Sequence, residues 1–143
     1  MDDRYAPKPL ARWFWVAAIA SFLFMALGVW GHIASVITDP ATLPVDQRVL
    51  MEARPEWMKA AYAIAVWVGL IGTVFLLMRR RLAVPLLLVS LIFCILTFLP
   101  YAVVPKVADL VTTNDIAVAI VVILITGTIW TFARHSRQRG WLR

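Results

Sequence analysis

Four stretches of this chain hold no Asp, Glu, Lys or Arg: residues 13–37, 60–78, 82–104 and 116–133, each 18 to 25 residues long. A helix of roughly 20 apolar residues crosses a hydrocarbon core of about 30 Å. Inside that core every backbone N–H and C=O must be satisfied within the segment or by a closed barrel. Barrel strands run to about 10 residues and alternate in polarity, and these runs do neither. The pattern predicts an all-α membrane protein, a bundle of four transmembrane helices over 10–37, 55–79, 82–103 and 114–135, in a single domain spanning 1–143. The last run is rich in Ile and Val, which would favour a strand in water; in lipid the length decides. The chain is 62% hydrophobic and 15% charged, against about 45–50% and about 25% in soluble domains. This excludes a disordered chain and an ordinary soluble enzyme, and a lone cysteine excludes a disulfide scaffold. The first run, opening on Trp13, Phe14 and Trp15, exceeds the roughly 7–15 residues of a signal-peptide core and is expected to stay as a helix.

The net charge of +6 reads as a topology signal. Arg4, Lys8, Arg12, Arg79, Arg80, Arg81, Arg134, Arg137, Arg139 and Arg143 fall on one side of the four spans. Only Arg48, Arg54, Lys59 and Lys106 fall on the other. The positive-inside rule therefore puts both termini in the cytoplasm. Clusters placed this way face phospholipid; nucleic acid is not an expected partner.

Between the first two spans, Asp39-Pro40 and Leu43-Pro44 signal turns. In the following VDQRVLMEA, Val45, Val49, Leu50 and Ala53 share one face, and Asp46, Arg48 and Glu52 the other. This predicts a short outer amphipathic helix on the membrane surface. Pro55 and Glu56 suit the first turn of the second span. Three arginines alone join spans two and three, which must form an antiparallel hairpin. Leu99-Pro100 kinks or ends the third span, and Thr113, Asn114 and Asp115 supply a cap for the fourth.

Lipid gives helices no hydrophobic reason to associate, so small residues mark close contacts. Ala61, Ala65, Gly69 and Thr73 form a ridge at a spacing of four, widened by Gly72. The second span is thus the expected packing centre, and the ridge is also a candidate homo-oligomer seam.

Chemistry is sparse. The polar residues near the midplane are Ser21, Ser90, Cys94, Thr97, Thr126 and Thr128. Ionisable groups usually mark ion-coupled carriers and proton relays. His32 and His135 lie at opposite ends, so they share no metal or haem. No catalytic motif is present, and no cofactor is expected. One layer stands out: Trp30, His32, Trp57, Lys59, Tyr62, Tyr101 and Asp115, drawn from all four spans, fall at the outer interface. It reads as a shallow site for a ligand or partner, or as an aromatic anchoring belt with a snorkelling lysine. Lys59 should reach Asp115, Asp39, Glu56 or a lipid phosphate.

PEWMKAAYAIAVWVGLIGTVFLLMRRRLAVPLLLVSL and the tail FARHSRQRGWL resemble a group of small four-span inner-membrane proteins of proteobacteria, some labelled sugar transporters. The resemblance implies a multi-pass protein of the bacterial inner membrane and carries over no functional residue. The expected function is non-enzymatic: binding of membrane lipids or of a larger membrane complex. The alternative is a small-solute transporter, perhaps sugar-linked, acting as an oligomer.

Overall fold

A computed structural model describes residues 9–143. Arg4 and Lys8, counted in the charge argument, lie in the stretch 1–8, outside the described residues. Among the described residues the chain is helical without strands: α1 (Arg12–Ile37), α2 (Val45–Ala53), α3 (Glu56–Leu77), α4 (Ala83–Phe98), α5 (Pro100–Val103), α6 (Pro105–Ala108) and α7 (Thr113–Gln138). A 3-10 turn at Pro40–Thr42 precedes α2. Four helices are long and apolar enough to cross a membrane: Arg12–Ile37, Glu56–Leu77, Ala83–Val103 and Thr113–Gln138.

Local chemistry sets the helix limits. Pro55 stands at the cap of α3, one residue before the first turn expected for it, and its carbonyl accepts from the amides of Met58 and Lys59. Pro100 brings no N–H to the ladder, so α4 ends at Phe98 and α5 resumes at once. The cap of α7 is Thr112, one residue ahead of the expected group. Asp115 selects it: Thr112 donates to Asp115 Oδ2 from its amide (2.9 Å) and its hydroxyl (2.7 Å), and the Asp115 amide donates back to Thr112 Oγ1 (3.3 Å). The three-residue spacing of this capping box fits Thr112. At the other end α7 runs to Gln138, beyond the expected 135.

The spans stand in the order α1, α3, α4, α7: α3 packs most extensively on α4, α1 on α3, and α7 on α4. The ridge of α3 faces these contacts, with Ala61, Ala65, Gly69, Gly72 and Thr73 all buried. A β-carbon on Gly72 would stand 3.0 Å from Leu87 of α4. Ser90 of α4 donates to the Ala65 carbonyl of α3 at 2.7 Å, a bond between helices where no water competes. Ser21, Thr97 and Thr126 return their hydroxyls to carbonyls four residues back, which satisfies each within its own helix. The outward faces carry Leu23, Leu27, Ile71, Ile92, Leu124 and many other exposed aliphatics.

No comparable packing joins α1 to α7 along their length. They meet at one end only, where Trp13 and Phe14 lie 5.5 and 5.6 Å from Phe132, ring centre to ring centre. That end is sealed by residues after α7. Gly140, at φ 72°, reverses the chain, and the amides of Gly140 and Trp141 bond back to Arg137 and Ser136. Trp141 and Leu142 are thereby buried, with Trp141 against Trp13 and Phe14. Residues 141–143 then pair with the turn after α3: the Arg143 amide bonds the Arg79 carbonyl (2.6 Å), the Arg81 amide bonds the Arg143 carbonyl (2.9 Å), and Arg79 Nε donates to the Trp141 carbonyl (2.9 Å). The arginine turn and the tail thus occupy the same end, here called the arginine end; the other is the loop end.

Candidate functional site

Held together at the arginine end, α1 and α7 enclose a cleft of about 810 Å³ toward the loop end, lined by all four spans and by Pro40, Met51 and Arg54 of the connection. Its floor is Ser90, Cys94 and Thr126. Its walls are largely apolar, among them Phe24, Met25, Val66, Phe98 and Val122. Leu27, Val36 and Val118 also line it and are more than half exposed, so the cleft opens through the side of the bundle between α1 and α7.

The polar groups gather at its loop-end mouth. Arg54 ends α2 and precedes Pro55, which pushes a residue toward extended backbone; its φ and ψ are −68° and 128°. Its guanidinium meets α5, where Nη2 donates to Tyr101 Oη at 3.3 Å. Arg54 Nε is buried with no hydrogen-bond partner among the described residues. Tyr62 donates to the Gly28 carbonyl at 3.3 Å and stands edge-on to His32, ring centres 5.6 Å apart. α1 and α3 approach closely here, since a β-carbon on Gly28 would lie 3.2 Å from Val66. Lys59 pairs with Glu56 Oε1 at 2.9 Å, one turn back on α3. Both groups are substantially exposed, so the pair contributes little to stability.

Of the seven residues expected in one layer, His32, Lys59, Tyr62, Tyr101 and Asp115 line the cleft. Trp30 and Trp57 do not; they stand 70% and 48% exposed. The sequence reading also left out Arg54, which entered only as a loop charge. Its signal was local: a lone arginine immediately before the proline that starts a span. Among the described residues no group of three or more His, Cys, Asp or Glu is placed to hold a metal ion.

Compared with family models, with curated proteins and with solved structures, the chain matches none.

Proposed function

We propose that this is a non-enzymatic multi-pass protein of a bacterial inner membrane, with both termini cytoplasmic, that binds membrane lipid in the cleft between α1 and α7. The cleft carries this reading: it is walled by apolar side chains, its lips are exposed aliphatics, and it opens sideways where acyl chains would lie. The distribution of arginines supports the orientation, which sets α2 at the outer surface, where its half-buried Leu50 and Met51 contrast with exposed Asp46, Arg48 and Glu52. A ligand site needs concavity, apolar walls and a few convergent polar groups, and the cleft has all three. Purification of the full chain in a mild detergent, with mass analysis of what accompanies it, tests the proposal. Retained lipid that disappears in Val122→Trp, which fills the cleft, is the expected result. Lipid retained equally by Val122→Trp would overturn the reading. Stoichiometric capture of a sugar by an oligomer would replace it with solute transport.

A further inference from the structure

We infer that the cleft takes one phospholipid molecule by its phosphodiester group, with Arg54 as the anchoring cation. The inference rests on the lipid-binding reading above and adds what the head of the ligand must be.

Three observations carry it. Arg54 Nε is buried yet lacks a partner, while Nη2 of the same guanidinium is spent on Tyr101. A buried donor of this kind costs free energy until an acceptor meets it. A guanidinium presents its donors as a planar fork that fits two oxygens of one phosphate. The vacant donor needs an acceptor, a phosphate oxygen suits a guanidinium best, and the cleft it borders suits hydrocarbon.

The other charged groups at the mouth have hydrogen-bond partners of their own. The lining holds two cations, Arg54 and Lys59, and one carboxylate, Asp115. Asp115 is turned to its own backbone, accepting twice from Thr112 in the helix cap. Lys59 is engaged by Glu56. Arg54 stands within electrostatic range of Asp115 but forms no ion pair with a carboxylate among the described residues, so its donors stay free for a phosphodiester. Tyr101 is placed to share the same oxygens through its hydroxyl.

The geometry also orders the ligand along the cleft. Arg54 lies on the connection at the loop end, and the floor lies at Ser90 and Thr126. The head rests at the mouth, one acyl chain descends toward the floor, and the second leaves past Leu27 and Val118 into the surrounding bilayer. Each hydroxyl at the floor already bonds a carbonyl, so an acyl chain there leaves neither hydroxyl unpaired.

The test is native mass spectrometry of the full chain with three probes: dioleoylphosphatidylglycerol, dioleoylglycerol and glycerol 3-phosphate. The first has chains and phosphate, the second the same chains without phosphate, the third a phosphate without chains. Phosphatidylglycerol should bind at least tenfold tighter than either other probe. Arg54→Gln should erase that preference and Arg54→Lys restore part of it. Arg137→Gln, an exposed cation at the arginine end, should leave it intact and so exclude general attraction of anions. Equal binding of phosphatidylglycerol and dioleoylglycerol, both lost in Val122→Trp, would overturn the phosphate inference and leave the lipid reading standing. Loss of neither lipid in Val122→Trp would remove both. The comparison of probes on the unaltered chain decides the matter even where Arg54→Gln fails to fold.

Discussion

At Gly69 an added methyl group would stand 2.6 Å from both Met25 Sδ and Ser90 Oγ. The thioether ends a flexible chain and can swing away. The hydroxyl cannot move without releasing the Ala65 carbonyl, to which it donates at 2.7 Å. Gly69→Ala should therefore cost about 1–3 kcal/mol through overpacking and Gly69→Leu more, read as a lower melting temperature in detergent. Gly127→Ala is the contrast: nothing lies within 4 Å of its β-carbon, so melting should hold or rise, since glycine costs a helix interior about 0.5–1 kcal/mol. Ser90→Ala should lose about 0.6 kcal/mol, the usual worth of a hydrogen bond between membrane helices. The ridge containing Gly69 was legible because small residues at a spacing of four have few other uses in lipid. Arg54 was not, since a charge count carries no information on where a guanidinium points.

Two helices of this protein end in the same way. After α3, Arg79 lies in the left-handed region at φ 57°, with its amide bonded to Leu76 and that of Arg80 to Phe75. After α7, Gly140 takes the equivalent place, with bonds to Arg137 and from Trp141 to Ser136. Both are Schellman closures, and glycine occupies that position without steric cost. Arg79 bears about 1–2 kcal/mol of backbone strain and offsets it through its two contacts with residues 141–143. Gly140→Val should misdirect the tail and uncover Trp141, seen as a red shift in tryptophan emission and faster proteolysis after Arg139. Arg79→Gly relieves the strain but removes the Nε contact, so it should change stability by less than about 1 kcal/mol in either direction, far less than Trp141→Ala. The three arginines between two spans mark the first of these turns in the sequence. That the two turns would pair with one another depends on residues 62 positions apart, a distance at which no local pattern speaks. Thr112 was passed over for a related reason: three neighbouring residues can cap, and only the partner at Asp115 chooses among them.

The four spans follow from the rule that hydrocarbon tolerates no unpaired backbone, which makes the architecture readable from runs of uncharged residues. The cleft is not readable in this way, because it exists only where two helices fail to touch. Its asymmetry can be measured directly. With Cys94→Ala as background, a short bis-maleimide should link cysteines placed at Trp13 and Phe132 readily, and cysteines at Val36 and Val118 poorly. Equal yields would mean that α1 and α7 are close antiparallel neighbours throughout. The seal at the arginine end has a further consequence, for the sequence of events by which the molecule forms. Only residues 78–82 join α3 to α4, so closing that hairpin costs less chain entropy than joining the ends of the molecule. The bonds of Arg79 and Arg81 to residues 141–143 close a loop of about 62 residues, which costs more chain entropy. By sequence separation the hairpin should form first and the aromatic lock last, closing the cleft as it shuts, so a chain pulled apart from its ends should surrender the cleft well before it surrenders the hairpin.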